Sequence, residues 1–337
     1  MMDPQAAHIP QGLIDLASER VGGKALIAND EFFAAKENLI MAGRGIFVPD
    51  KYTDRGKWMD GWETRRRRTP GNDWCVIRLG LPGVVKKIDL DTNHFVGNHP
   101  PFASVDALSL EKEILLQTES IDRMGWVNIL AKSPVNPGSQ NLFDVADDRR
   151  WTHVRLNIFP DGGVARLRVY GVVVPDWSRV SRRESIDLAA VENGGVPLLC
   201  SDMFFSSMYN LIMPGRAENM GDGWETKRRR GPGYDWVILQ LGRAGTVTKI
   251  EVDTNHFRGN YPDACSVEAR NSPGAPVESL TDPQSEWKEL LPRVKLQAHT
   301  RHYFEKELKS IGPVTHVRLN IYPDGGVSRF RVCGTIR

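Results

Sequence analysis

The sequence predicts a mainly β protein made of two tandem domains, each an antiparallel β-sandwich or jelly roll with a short helix near its N-terminus. Three observations lead to this fold class. The chain has 337 residues, whereas a single domain usually has roughly 100–200. Long segments of the chain occur twice, in the same order. Within each copy, short β-rich runs bounded by Gly, Pro and Asn dominate over one stretch of helical character.

The internal repeat is visible as long matching segments. DGWETRRRRTPGNDWCVIRLG at 60–80 returns as DGWETKRRRGPGYDWVILQLG at 222–242. KIDLDTNHFVGN at 87–98 returns as KIEVDTNHFRGN at 249–260. Because a duplication of this kind makes each copy one structural unit, the two copies are expected to fold alike.

The matching segments set the expected domain limits and expose one difference between the copies. We expect repeat 1 at 15–171, a linker at 172–186 and repeat 2 at 187–337. Repeat 1 alone has extra residues at about 45–59, between the GR and DGW motifs. This insertion is expected to cover, or contribute to, one site only.

Each copy has the same predicted elements. DEFFAAKENLI is the predicted helix, with Asp30 as its N-cap. DWCVIRLG and VVKKIDLDTN are predicted as short strands bounded by Gly, Pro and Asn. HVRLNIF and VARLRVYGV flank PDGG, whose turn chemistry predicts a hairpin of antiparallel strands. Loops at the ends of the sheets are the expected place for chemistry.

Composition excludes some function classes. Lys and Arg total 44 and Asp and Glu total 42, so the net charge is +2 and no global field favours a polyanion such as nucleic acid. The N-terminal segment lacks the apolar core of a secretory signal, and no apolar run approaches the roughly 18 residues of a membrane span. We therefore expect a cytoplasmic protein that binds neither nucleic acid nor membrane.

The cysteines do not recur between the copies. Cys75, Cys200, Cys265 and Cys333 face Val237, Ala28, Ala103 and Tyr170 in the other repeat. This pattern disfavours thiol catalysis, a zinc cluster and a disulfide framework. Small buried hydrophobic side chains are the better interpretation.

The best candidate for chemistry is DTNHF, which follows a strand pattern and leads into GN. An imidazole near a carboxylate and an amide can move a proton near neutral pH while the amide orients a polar substrate. The alternative is a turn capped by Asp91 and Asn93, in which His94 satisfies a backbone carbonyl. The matching residues of repeat 2 are Asp253, Asn255 and His256, and the adjoining GN motifs supply Asn98 and Asn260.

DGWET offers a carboxyl group beside a tryptophan. Glu63, or Glu225 in repeat 2, could serve as a general acid if the aromatic ring desolvates it, because desolvation raises a carboxyl pKa. The alternative is a turn that tucks Trp62 into the core while the glutamate pairs with an arginine.

Basic residues follow this motif directly. One guanidinium of the cluster is suited to hold a small carboxylate in bidentate geometry. A solvated, partly ion-paired face is the alternative for most of these arginines. The candidates are Arg66, Arg67 and Arg68 in repeat 1 and Arg228, Arg229 and Arg230 in repeat 2.

HVRLNI and PDGG also recur. Alternation along the strand places Arg155 and Asn157 on the same face as His153. That face could border a site or could face solvent. His316 starts the matching strand of repeat 2, and PDGG is most simply a turn.

At DGWETxRRR, DWxxxxLG, DTNHFxGN and HVRLNIxPDGG the chain resembles the allantoicase family, in both copies and over nearly all of its length outside the termini and linker. The resemblance implies a tandem jelly-roll fold of the galactose-binding-like type. It also implies a hydrolase that cleaves allantoate to ureidoglycolate and urea in purine (allantoin) degradation. Allantoate carries one carboxylate and two ureido arms, which suit an arginine clamp and amide hydrogen bonds.

The resemblance suggests roles for the candidates as a hypothesis. His94 or Glu63 protonates the departing urea nitrogen, Asp91 orients the imidazole or activates water, and Asn93 and one arginine hold the substrate. His256, Glu225, Asp253 and Asn255 are the equivalents in repeat 2. No cofactor is assigned, although Asp91 and His94 could ligate a divalent metal if other loops contributed.

Two rival functions stay open at the level of sequence. A non-catalytic pair of sandwich modules could bind carbohydrate through loop Trp and Asn residues, and a nucleic-acid binder would show affinity that falls steeply with salt. A homo-oligomer is expected because exposed sheet edges favour self-association. The sequence does not say whether each repeat has its own site.

Overall fold

The computed structural model describes residues 9–110, 117–282 and 284–337. The described chain forms two compact units, which divide between Val174 and Pro175. Each unit is mainly antiparallel β-structure with short 3₁₀ helices. No helix of this described portion is long and apolar enough to cross a membrane.

Repeat 1 is built around one long strand. The described strands are β1 (Ile14–Asp15), β2 (Lys24–Ala28), β3 (Tyr52–Thr53), β4 (Gly56–Lys57), β5 (Trp62–Glu63), β6 (Asp73–Asp91), β7 (Phe102–Leu108), β8 (Val127–Pro134), β9 (Gln140–Asp144), β10 (Arg150–Phe159), β11 (Gly163–Val164) and β12 (Arg166–Val173). The 3₁₀ helices are Glu19–Val21, Lys36–Ile40 and Thr118–Arg123. Strand β12 runs to Val173, so it includes the first two residues of the expected linker.

Strand β6 belongs to both layers of the sandwich. Its first half pairs with β2 and β10, and β10 continues the layer through β7 to β8. Its second half pairs with β12 and β9, and β12 continues to β1. Apolar side chains of these strands are fully buried and supply the core, among them Ile77, Ile88, Val154, Leu156 and Leu167.

Two strand predictions were wrong in detail. The runs predicted as separate strands are the two halves of β6, which passes through Gly80, Pro82 and Gly83 without ending. A Cβ at Gly80 would lie 2.3 Å from the Val21 carbonyl oxygen, so this glycine permits close packing rather than ending the strand. The expected hairpin around PDGG is also absent from the described pairings, because β10 and β12 each pair with a different half of β6.

Repeat 2 has the same arrangement around its own long strand. Its described strands are β13 (Ile186–Asp187), β14 (Val196–Cys200), β15 (Trp224–Glu225), β16 (Asp235–Asp253), β17 (Ala264–Arg270), β18 (Lys288–Lys295), β19 (Arg301–Phe304), β20 (Val314–Tyr322), β21 (Gly326–Val327) and β22 (Arg329–Ile336). Its 3₁₀ helices are Val191–Asn193, Met208–Ile212, Met220–Asp222 and Val277–Leu280, and one more, Trp177–Arg179, lies in the expected linker. The first half of β16 pairs with β14 and β20, and the second half with β22 and β19.

The predicted short helix exists, but it is shorter and starts later than expected. It is a 3₁₀ helix over Lys36–Ile40, matched by Met208–Ile212 in repeat 2. Asp30 is not its N-cap. The Asp30 carboxylate instead accepts hydrogen bonds from the Phe32 and Arg65 backbone and from the Arg65 side chain.

The cysteines are free thiols. Cys75 and Cys265 are fully buried in the core, as expected, and Cys200 and Cys333 are half-buried. Burial raises the pKa of the Cys265 thiol to about 12. A thiol held protonated in this way is a poor nucleophile.

Candidate active site

Two segments of repeat 1 meet beside β5. Trp62 is fully buried and its indole donates a hydrogen bond of 2.8 Å to the Asp30 carbonyl, so it anchors the strand in the core, in agreement with that part of the alternative interpretation. Glu63 is the next residue and points to the opposite face of the strand. Its Oε1 accepts a hydrogen bond of 2.7 Å from the side chain of Asn98, in the loop after β6. The partner of Glu63 is therefore an amide rather than an arginine.

A cleft of about 360 Å³ opens beside this pair. This size lies at the lower end of the range for small-molecule sites. Its walls come from the aromatic Phe33, from the loop after β6 and from the insertion at 45–59. The lining residues are Phe33, Phe47, Arg55, Gly56, Lys57, Met59, Glu63, His94, Val96, Gly97 and Asn98.

The environment of Glu63 favours its protonated form. Burial raises the pKa of this carboxyl above its ordinary value, and the hydrogen bond from Asn98 opposes part of the rise. A carboxyl that keeps its proton closer to neutral pH can act as a general acid.

His94 stands at the mouth of the cleft. Its side chain is exposed and its ring stacks on Phe47 of the insertion, with 5.5 Å between ring centroids. Its φ of 69° lies in the left-handed region, which is uncommon for residues other than glycine. His256 has the same φ of 69°, so this backbone bend is a feature of both repeats.

Asp91 and Asn93 lie outside this lining and hold the neighbouring loop. Asp91 is almost fully buried, and its two oxygens accept hydrogen bonds of 2.9 and 3.0 Å from the Arg44 guanidinium. The Asn93 side chain donates to the Gly45 carbonyl at 2.8 Å. The Asp91 carboxylate is therefore engaged with Arg44 rather than with the imidazole of His94.

The arginine cluster divides into paired and exposed members. Arg65 pairs with Asp30 at 2.7 Å and Arg67 with Asp73 at 2.8 Å. Arg66 and Arg68 are exposed and lie outside the lining of the repeat 1 cleft. For Arg65 and Arg67 the ion-paired alternative describes the structure.

The cations that do line the cleft come from the insertion. Arg55 donates to the Phe32 carbonyl at 2.9 Å and stacks on the Phe32 ring at 5.1 Å. The Lys57 ammonium lies 4.4 Å from the centroid of the Phe47 ring. Sequence reasoning did not name Phe33, Phe47, Arg55 or Lys57 as site residues. The available signal was the insertion itself, which was expected to cover, or contribute to, one site only and which lines the repeat 1 cleft.

Repeat 2 has a related cleft of about 330 Å³ without the insertion. Asn260 donates to Oε1 of Glu225 as Asn98 does to Glu63. Burial also raises the pKa of Glu225, against the hydrogen bond from Asn260. Arg228 lines this cleft, whereas Lys227 pairs with Asp202 and Arg229 with Asp235. Arg230 is exposed.

The imidazole of His256, the counterpart of His94, is hydrogen-bonded within repeat 2. His256 Nε2 lies 2.9 Å from the Ala217 carbonyl oxygen, and its backbone N–H donates to His299 at 2.8 Å. Asp253 is fully buried and accepts from Arg216 at 3.3 Å and Arg301 at 3.4 Å. The Asn255 side chain donates to the same Ala217 carbonyl oxygen at 3.2 Å.

The polar face of the HVRLNI strand is satisfied by a neighbouring strand. Arg155 and Asn157 both donate to the Asp106 carboxylate of β7, at 3.0 and 2.8 Å. His316 is buried, which lowers its pKa to about 4, with Arg270 adding to the effect. The PDGG turn also has a fixed role, because Asp161 accepts the Arg67 backbone N–H at 2.8 Å.

No group of three or more His, Cys, Asp or Glu side chains in the described ranges is arranged to hold a metal ion. Asp91 and His94 are the two possible ligands proposed from the sequence. The Asp91 carboxylate is bound to Arg44 instead.

The fold and the cleft together define a tandem jelly-roll protein with a cleft lined by a carboxyl, an amide, an imidazole and two cations. The allantoicase repeat model matches residues 14–174 and 186–337. A probable allantoicase 1 of Burkholderia mallei is 48% identical over 336 residues, covering 100% of this chain and 98% of the relative. A probable allantoicase of Pseudomonas aeruginosa is 48% identical over 330 residues, 98% of each chain.

Solved structures agree. The allantoicase of Saccharomyces cerevisiae is 40% identical, with a TM-score of 0.81 over 96% of this chain and 93% of that chain. A second allantoicase structure is 40% identical with a TM-score of 0.82, over 96% and 94%. The chain belongs to the allantoicase family. The expected resemblance, the tandem antiparallel fold and the hydrolase class are confirmed.

Proposed function

We propose that this protein hydrolyses allantoate to ureidoglycolate and urea, a step of purine degradation, and that the repeat 1 cleft is the active site. The observation that carries this assignment is the half-buried Glu63 carboxyl, which has a raised pKa and is held by Asn98 in a cleft shared with His94. Family membership supplies the reaction.

The reaction breaks one bond from the central carbon of allantoate to a ureido nitrogen. The hydroxyl of a water molecule is added to that carbon, and a proton is added to the nitrogen of the departing urea. The site must therefore protonate a poor leaving group and accept a proton from water.

Glu63 is assigned as the general acid that protonates the leaving nitrogen. Asn98 fixes the carboxyl by donating to Oε1, which leaves Oε2 to carry the proton. His94 is assigned as the base that receives the proton of water, since its ring is exposed and supported by Phe47.

The substrate carboxylate is assigned to Arg55 and Lys57. Arg55 uses one nitrogen for the Phe32 carbonyl, and a guanidinium carries five donors, so others remain for a carboxylate. This replaces the sequence-based expectation that Arg66, Arg67 or Arg68 holds the substrate. Asp91 and Asn93 are assigned to positioning the loop, through Arg44 and Gly45.

The decisive experiment measures urea released from allantoate by the purified protein and by Glu63→Gln. Glutamine keeps the oxygen that accepts from Asn98 but has no acidic proton, so kcat is expected to fall by about 10²–10⁴. Glu289→Gln, at a surface glutamate paired with Lys309, is the control and should keep wild-type activity. Absence of urea release by the wild-type protein would refute the proposed function. Full activity of Glu63→Gln would refute the assignment of Glu63 as the general acid.

The same assay, run with and without a chelator, tests whether the activity requires a metal ion. We assign no cofactor. Activity that is lost on chelation and restored by one divalent ion would add a metal to the site, which could polarise a ureido oxygen or activate water.

Two expectations stay predictions. A homo-oligomer is expected, and light scattering should give a mass that is a multiple of 37.8 kDa. A cytoplasmic location is expected, and fractionation of cells that produce the protein should place it there. Allantoate is the proposed small-molecule partner, whatever the oligomeric state and the location of the protein.

A further inference from the structure

The repeat 2 cleft keeps the carboxyl–amide pair of repeat 1 and adds a cation of its own. Glu225 and Asn260 form the same carboxyl–amide pair as Glu63 and Asn98. Such a pair offers both donors and acceptors to a ureido group. Arg228 is exposed at the lining of the cleft, where its guanidinium can take a carboxylate in bidentate geometry.

The two aspartates that line this cleft already have partners. Asp263 pairs with Lys295 at 2.7 Å, and Asp324 accepts the Arg229 backbone N–H at 2.9 Å. Arg228 therefore has acidic neighbours whose charges are partly compensated, and a small anion can approach it.

The repeat 2 cleft has a counterpart of the acid Glu63 but lacks the base that repeat 1 uses to cleave. His256 is outside its lining, and its ring nitrogen is engaged by the Ala217 carbonyl at 2.9 Å. The insertion that supplies Phe47, Arg55 and Lys57 has no counterpart between Arg216 and Asp222. The cleft has a carboxyl but no imidazole among its described lining residues to receive the proton of water.

We propose that the repeat 2 cleft is a second binding site, for a small carboxylate that bears a ureido group, and that it binds this ligand without cleaving it. The ligand is held by Arg228 at its carboxylate and by Glu225 and Asn260 at its ureido group. This inference rests on the proposed function, because that function identifies repeat 1 as the cleft that cleaves.

Two glycines allow each cleft to be blocked separately. Gly97 and Gly259 occupy matching positions and line their respective clefts. A Cβ added at either glycine would meet no atom within 4 Å, and neither residue has a positive φ. A tryptophan at either position can therefore be accommodated at the lining of its cleft without straining the backbone, and we expect it to obstruct ligand binding there. Neither glycine contributes a functional group to the chemistry.

The experiment titrates the full chain with N-carbamoylglycine by calorimetry and measures urea release from allantoate in parallel. This compound has the carboxylate and one ureido arm of allantoate but lacks the second nitrogen that assists C–N cleavage. The wild-type chain should bind two equivalents, and Gly97→Trp and Gly259→Trp one each. Urea release should fall about a hundredfold or more in Gly97→Trp and stay within about twofold of wild type in Gly259→Trp.

The outcomes separate the two proposals. One equivalent bound by the wild-type chain, or two by Gly259→Trp, overturns the second site but leaves the function standing. Loss of urea release in Gly259→Trp, with its fold intact by circular dichroism, overturns the claim that repeat 2 does not cleave. Failure of the wild-type chain to release urea overturns the function whatever the binding count. If Gly259→Trp does not fold, Gly259→Leu takes its place.

Discussion

Asp89→Asn should make repeat 1 more stable, by an amount that grows with pH. Asp89 is 1% exposed, and burial raises its pKa to about 6 from 3.8, with the charge of Asp91 adding to the rise and Gln140 opposing it. One of its oxygens, Oδ1, has no hydrogen-bond partner in the described part of the chain. An ionised carboxylate in this position costs stability that a neutral amide would not.

The sign and size of this stability change follow from the pKa of Asp89 in the folded protein and its ordinary value in the unfolded chain. A carboxyl with a raised pKa in the folded state favours folding only while it is protonated, so stability falls as pH rises from about 4 through 6. The ionised group costs about 3 kcal/mol above pH 7, and well under 1 kcal/mol near pH 4. The stability of Asp89→Asn relative to wild type should therefore increase by roughly 2 kcal/mol between pH 4 and pH 8.

Urea denaturation at several pH values measures this difference. Other titrating groups cancel in the comparison, and any constant cost of the new amide shifts every point equally. Near-UV circular dichroism checks that both proteins share one fold. A difference in unfolding free energy that is flat with pH, or that shrinks as pH rises, would refute the reasoning.

Three further predictions concern the site and the loop beside it. As pH rises through the raised pKa of Glu63, the proton needed for catalysis is lost, so kcat for urea release should fall, and Glu63→Gln should abolish that limb of the pH–rate profile. Arg55→Ala should raise KM for allantoate about tenfold with a smaller change in kcat, whereas Arg66→Ala should leave steady-state kinetics unchanged. Arg44→Ala leaves the buried Asp91 without its ion-pair partner and should lower the free energy of unfolding by about 3–5 kcal/mol, measured by urea denaturation. A loss below about 1 kcal/mol would contradict the role given to this ion pair.

The sequence predicted the architecture well because duplication made its signals redundant. The β-rich composition and the paired motifs were enough for the fold class. The path of individual strands was less predictable. Gly80 and Pro82 are strand-breaking residue types, yet β6 continues through them. Gly80 is needed because its close contact with the Val21 carbonyl leaves no room for a side chain.

The turn at PDGG shows a second limit. Turn chemistry says that the chain reverses direction, but it does not say with which strand each flank pairs. Here β10 and β12 take different halves of β6, so they lie in different layers. Only the tertiary pairing distinguishes this arrangement from a hairpin.

The candidate site residues that recur in both copies have two different roles in the structure. Glu63 and Asn98 recur because both repeats form a cleft at this pair. Asp91 and Asn93 recur because both repeats need the same buried contacts to hold a loop. Sequence identity between the copies does not separate these cases, whereas burial and partners do.

The groups found in one copy carry the difference in function. Arg55 and Lys57 lie in an insertion that repeat 2 lacks, so a search for residues shared by the copies passes over them. His94 and His256 share sequence context and backbone conformation, but one ring stacks on the insertion and the other is held by a backbone carbonyl. A duplicated protein can thus keep one binding chemistry in both copies and complete the catalytic set in only one, and the paired glycine variants test whether this chain has done so.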